Sequence, residues 1–402
     1  MKRPILLLCI FCLQFPVHAQ VQWRNDRTGV YHETGLLKSW PSTGPELLWH
    51  FDGLNRGYSA ITIDKEKIYV TGSTDGKGYL YVLDLNGKLI NKIAYGREWD
   101  SDSYVGSRSA VMHDNGKLYI VSGYAELFCY DTQSLKLLWK KDYIKDFGAK
   151  NTAHGWNGPP LFVGEKLIIC PGSQKHHVVA LNKTTGELIW SAKGATNNDM
   201  SGYATPIYIA DQQVPQVVAM MSDHVIGIDI KNGNLLWSHH HTNRFREHPN
   251  TPEYHNGMIL GMSDYGKGSI MLRLINGGRN IELAWENTDL SHKTGNTMRV
   301  GEYIYGSGER TNWHCVEWNT GKTLYSDATI GVGTIISAEG LLYCYTEKGE
   351  MALVKPNPAK FDIISKFDVT IGTEQHWAHP VIYKGVLYIR HGDTLMAYKI
   401  KD

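Results

Sequence analysis

Three short segments share one pattern: Trp156-Asn157-Gly158-Pro159, Tyr203-Ala204-Thr205-Pro206 and Trp377-Ala378-His379-Pro380. Each places an aromatic ring three residues before a proline. Rings at equivalent places around one opening form a stacking platform for a sugar or a planar quinone. The alternative is that each ring packs beneath its own loop. Polar side chains crowd the same stretches. His154, Arg108, Tyr203 and His376 are of the types that abstract or donate protons beside a bound sugar. The candidate ligand contacts are Trp156, Asn157, Tyr203, His248, Lys293, Asn296, Trp377 and His379. No metal site is assigned, because no histidine pair has HExxH or zinc-finger spacing. GxSxG, Walker and strand-to-helix GxGxxG motifs are also missing.

The elements that must position these residues follow from composition and repetition. The chain of 402 residues carries 41 Gly, 14 Pro, 12 Trp, 23 Tyr and 9 Phe, a mixture suited to many short strands joined by tight turns and not to helices. Lys+Arg number 41 against 40 Asp+Glu, which excludes the basic footprint of a nucleic-acid binder. Hydrophobic residues at 42% suffice for a core.

Internal repetition is the strongest signal. Ala180–Trp190, Gly227–Trp237, Cys129–Trp139 and Cys315–Tyr325 each read as strand, polar turn and second strand ending in an aromatic. Asp131, Asn182 and Asp229 open the turns, where a short side chain can bond nearby backbone N–H groups. Val82–Ile90 is a shorter version and Leu353–Ile364 a degraded one. The units end at Trp49, Ile90, Trp139, Trp190, Trp237, Trp285, Tyr325 and Ile364, and another pair of strand-like runs precedes each. Four strands in about 40–50 residues is the grammar of a propeller blade. Three strands follow Ile364, while Gly44–Phe51 looks like a fourth strand with nothing before it. Pairing the two ends closes the ring and removes a sheet edge. The expected fold is therefore all-β: an eight-bladed β-propeller of four-stranded antiparallel blades, with an N-terminal strand completing the last blade.

Lys2 and Arg3, the apolar run Ile5–Phe15 and Val17-His18-Ala19 read as a signal peptide over residues 1–19, cleaved before Gln20. Residues 20–402 then form a single propeller domain, exported to the periplasm or secreted, soluble and monomeric. Cys129 and Cys315 stand where other repeats have Ala180 or Gly227, so they read as small fillers of a tight strand position.

The repeat at Ala180–Trp190 resembles that of the PQQ-like β-propeller family, A-x-D-x-x-T-G-x-x-x-W, with Asn182 in the Asp place. That family includes quinoprotein alcohol dehydrogenases and the propeller lipoprotein BamB. The dehydrogenase resemblance implies PQQ held between a Trp and a ring of adjacent cysteines, with calcium on Glu, Asn and Asp side chains. No adjacent cysteines follow the signal segment here. Nor does a small residue precede Cys9 or Cys12, as the lipoprotein's anchor would need. Three functions are therefore weighed: a non-catalytic scaffold binding a polypeptide or glycan through its loop face, a PQQ-dependent alcohol or sugar dehydrogenase, and a carbohydrate-active lyase or hydrolase.

Overall fold

A computed structural model describes residues 22–101, 104–309 and 312–402; the expected signal peptide lies outside the described residues. Eight four-stranded antiparallel sheets are arranged in chain order. Blade one comprises Thr62–Asp64, Lys67–Thr74, Lys77–Asp84 and Leu89–Arg97, from the axis outward. Blades two to seven repeat the order. Blade eight takes Val381–Tyr383, Val386–His391 and Thr394–Lys399 from the end of the chain and its outer strand, Leu47–Phe51, from the beginning. Trp49 pairs with Ala397 and Phe51 with Leu395, so the ring is closed by hydrogen bonds. The middle strands are buried on both faces, as in Lys117–Val121, because each blade stacks between two neighbours.

Every outer strand has a register shift at the same place, across all eight blades. The bulged residues, such as Leu138 and Ile189, are exposed, and the next residue turns inward. That residue is the aromatic of the repeat: Trp49, Trp139, Trp190, Trp237, Trp285 and Tyr325. The register corrects two units. Ile90 and Ile364 are bulge residues, and the docking positions there are Asn91, opposite Val82, and Ser365, opposite Leu353. A bulge bends an edge strand away from flat pairing, which protects a rim made of edges.

The docked indole reaches the next blade. Trp190 lies against Gly233, where a Cβ would come within 2.8 Å of the ring, and its Nε1 donates to the Ile230 carbonyl at 3.0 Å. Trp49 and Trp285 repeat this on Leu85 and Trp318. The turn that receives each indole is fixed by its first residue: the Asn182 side chain accepts from the Thr184 and Thr185 N–H groups. Gly233 adopts φ 78°, open to glycine at no steric cost. Across the strand from five of the six aromatics stands a small residue, Cys129, Ala180, Gly227, Cys315 or Ala397, whereas Trp285 faces Met271. Cys129, Cys170, Cys315 and Cys344 are unpaired, and space explains the first and third.

Residues 22–43 do more than precede the first strand. Val30–Tyr31 adds in parallel to Gly333–Ala338, the inner strand of blade seven. Arg24, Asn25, Asp26 and Arg27 all have positive φ, between 43° and 69°, forming one left-handed turn in which Arg27 N donates to the Trp23 carbonyl. For non-glycine residues this costs roughly 1–2 kcal/mol each. The opposing gain comes from two buried guanidinium groups. Arg24 donates to the carbonyls of Thr297 and Ile335, and Arg27 to the Pro160 carbonyl and Thr205 Oγ1. Burial lowers both arginines to about 10. The segment thereby ties blades three, four, six and seven together across the axis. Further along, Trp40 packs on Tyr343 and Phe367 and donates its backbone N–H to Ser365, where blade seven lacks an aromatic.

One difference between docked indoles supplies a test. Tyr119 Oη occupies the Lys183 carbonyl, the acceptor equivalent to Ile230, and Trp139 Nε1 has no partner. We expect Trp190→Phe to cost about 1 kcal/mol more than Trp139→Phe in denaturant unfolding. Equal losses would mean that the indole N–H bond does not hold neighbouring blades.

Candidate functional site

The loops leading into the inner strands share one face, and there the axis opens into a cavity of about 230 Å³. Its wall follows a simple rule. In seven blades, the residues four and two positions before the start of the inner strand line it. The outer tier is Tyr58, Arg108, Asn157, Tyr203, Pro249, Thr294 and Trp377. Below it lie Ala60, Ala110, Pro159, Thr205, Thr251, Asn296 and His379. Blade six is counted from Met298, which pairs with Tyr305 as Thr62 pairs with Tyr69. Blade seven contributes neither tier, because Val30–Tyr31 covers its inner strand. Trp23 fills that sector instead, with its ring edge on His379 at 5.1 Å.

Of the expected site residues, Arg108, His154, Asn157, Tyr203, Lys293, Asn296, Trp377 and His379 line this cavity. Three do not. Trp156 is buried beneath its loop, edge-on to Tyr143 at 5.2 Å. The reason is a doubled proline: Pro160, not Pro159, precedes the strand, so Asn157 holds the place of Tyr203 and Trp377. His248 is buried and bonds the Ser222 carbonyl through Nε2. His376 stacks on His391 at 3.6 Å and shares a hydrogen bond with Tyr345 Oη.

The rings form a connected wall. Trp377 stands 4.7 Å from Tyr104 and 5.1 Å from Tyr58. Arg108 lies over Tyr58 at 5.7 Å and Lys293 over Trp377 at 5.8 Å. Across the axis Glu247 Oε1 is 3.4 Å from His154 Nε2, while Glu247 Oε2 accepts from Tyr265 Oη at 3.2 Å. Tyr203 Oη accepts the backbone N–H of His154 at 3.3 Å. Burial, and after it the charge of Glu247, raises both the Tyr203 and Tyr265 phenols, so both remain proton donors near neutrality. Burial lowers Arg108, and the Glu98 carboxylate behind it opposes that shift. Glu98 is itself pushed up to about 7 by burial, against hydrogen bonds from Tyr95 and the N–H groups of Trp99 and Gly123. Tyr58, Tyr104, Glu247 and Tyr265 are cavity residues that loop spacing around prolines does not mark. Tyr58 was accessible through the strand-based count.

Calcium takes six to eight oxygen ligands. This wall offers one carboxylate, Glu247, already engaged with His154 and Tyr265, beside two cations. Among the described residues no three His, Cys, Asp or Glu side chains gather to hold a metal. The donor set does not fit a calcium-bound quinone.

The fold and cavity define an eight-bladed propeller with an axial cavity on its loop face. The family model described as outer membrane protein assembly factor BamB matches residues 46–326, and the chain belongs to this family. BamB from Moraxella catarrhalis superposes with a TM-score of 0.64 at 13% identity, covering 89% of this chain and all of the other. Quinohemoprotein alcohol dehydrogenase from Comamonas testosteroni superposes at 0.66 with 12% identity, covering 95% of this chain and 80% of that one. At these identities the likeness is one of fold. In sequence, quinoprotein alcohol dehydrogenase PedH of Pseudomonas putida is 23% identical over 239 residues, 56% of this chain and 37% of PedH. The chain spans less than half the length of the curated relatives it matches. No helix among the described residues is long and apolar enough to cross a membrane.

The buried histidines give a pH test. Burial lowers His248 to about 4 and His241 and His292 to about 3. Below pH 6.5 the unfolded chain binds protons that the folded chain refuses, so stability is full above 6.5 and falls as pH drops towards 4. We expect the thermal midpoint to decline from pH 7 to pH 5, and less steeply in His248→Gln. Parallel declines for the two proteins would show that His248 titrates normally in the fold.

Proposed function

We propose that this chain is an exported, non-catalytic binding propeller that takes a glycan unit into the axial cavity of its loop face. The observation that carries this reading is the two-tier wall, in which aromatic faces stand beside hydrogen-bonding groups. Sugars present apolar C–H faces to rings and hydroxyls to polar neighbours, and a concave site with a few placed polar groups suits them. A polypeptide docking on a loop face would need a broader surface. Arg108 Nε, Asn157 Oδ1, Thr251 Oγ1 and His379 Nδ1 are buried in the wall without a hydrogen-bond partner. Each such group costs about 1–3 kcal/mol. Their concentration behind one cavity supports a functional site over a structural void.

Glycan-array screening followed by calorimetric titration tests this. We expect a saturable ligand whose affinity drops at least tenfold in Trp377→Ala, with the thermal midpoint little changed. Absence of any glycan ligand, together with a thermal shift given by PQQ plus calcium, would replace this reading with the dehydrogenase one.

The convergence of His154, Tyr203 and Arg108 on the cavity favours a carbohydrate lyase as the second reading. His154, backed by Glu247, would take the C5 proton of a uronate while the C4–O bond breaks, a C4=C5 double bond forms and Tyr203 protonates the leaving oxygen. Such a product absorbs in the near ultraviolet. Absorbance that grows with acidic polysaccharide and vanishes in His154→Ala would establish catalysis; bound glycan without it would leave the binding reading in place.

A further inference from the structure

We infer that the sugar unit selected by the axial cavity carries a single negative charge. This rests on the glycan reading above and adds the chemical class of the ligand. The two cations of the cavity come from the loops before opposite blades, two and six, and reach the same pair of rings. Arg108 belongs to blade two and lies over Tyr58; Lys293 lies over Trp377, and the two rings are 5.1 Å apart. Neither cation has a carboxylate within ion-pair distance among the described residues. Among the described residues Arg108 donates only to the Tyr104 carbonyl, and the Glu98 carboxyl behind it is pushed up to about 7 by burial, which weakens its counter-charge near neutrality. Glu247, the one carboxylate of the wall, belongs to the loop before blade five, across the axis, and both its oxygens are occupied by His154 and Tyr265.

The cavity is thus polarised, with an excess of one positive charge placed beside its most continuous aromatic wall. A neutral sugar stacking on Trp377 would shield Arg108 and Lys293 from water and give them no counter-charge, which is unfavourable. A ring with one anionic substituent stacks on the same wall and meets both cations. Charge-assisted hydrogen bonds from guanidinium and ammonium groups are the stronger kind available to it. The anion can be a carboxylate, as in a hexuronate, or a sulfate ester. At the opposite edge the ligand's hydroxyls face Tyr203, His154 and Glu247.

Isothermal titration at low salt with methyl glucuronide, glucose 6-sulfate and methyl glucoside tests the inference. We expect at least one acidic sugar to bind ten or more times tighter than methyl glucoside, and the advantage to shrink as salt is raised. Which acidic sugar binds tighter identifies the source of the charge. Lys293→Gln, at a half-buried position of the loop, should remove most of the preference for the acidic sugar; Arg108→Gln should do the same if its thermal midpoint is retained. Equal binding of acidic and neutral sugars overturns the inference and leaves glycan binding standing. Failure of all three sugars, alongside an array with no glycan ligand, overturns the function beneath it.

Discussion

The contact on which the molecule depends is an indole lying on the turn of the next blade. A single four-stranded sheet cannot bury its two faces alone, so every blade is stable only between neighbours. Trp49, Trp190 and Trp285 each fix that neighbour relation twice, by ring contact with a turn glycine and by an N–H bond to a backbone carbonyl. The bulge before each aromatic aims the ring, and at Trp49 and Trp190 an alanine across the strand, Ala397 or Ala180, makes room for it. The ring-on-glycine contact recurs at Trp49, Trp139, Trp190 and Trp285, and the strand order is the same in every blade, so the inner strands arrive at the axis in equivalent poses. The tiers of the cavity wall are a consequence of that equivalence.

Where the repeat weakens, other parts of the chain act. Blade seven has Ser365 in place of an aromatic, and Trp40 packs there from the N-terminal segment. The axis, which the inner strands leave wide, is crossed by the left-handed turn at Arg24–Arg27, held by carbonyls from three blades and the Thr205 hydroxyl of a fourth. This segment also supplies Trp23 to the blade-seven sector of the cavity wall. The strained turn and the cavity are therefore parts of one construction: the buried arginines anchor the turn that carries Trp23.

The blade count and the closure of blade eight by Leu47–Phe51 were legible because they follow from strand periodicity and from the lack of a partner for the last three strands. The docking residues of the two weak units were misplaced by one position at Ile90 and Ile364, since a bulge adds a residue that spacing alone cannot reveal. The same kind of slip affected the site. Counting from the nearest proline selects Trp156, whereas counting from the strand selects Asn157, and only the latter reaches the cavity. His248 and His376 have the residue type of acid–base groups, yet their ring nitrogens serve loop structure. The N-terminal plug was not legible at all: its anchors bond carbonyls, which leave no trace in side-chain pattern.

The placement of the ligand on the axis is tested most directly by amide hydrogen exchange of the whole protein with and without its best-binding sugar. Protection should rise in the lead-in loops around Tyr58, Arg108, Asn157, Tyr203, Glu247, Thr294 and Trp377, in several blades at once, with the outer strands unchanged. Protection confined to the outer strands, or to the loops of one blade, would place binding elsewhere and contradict an axial site.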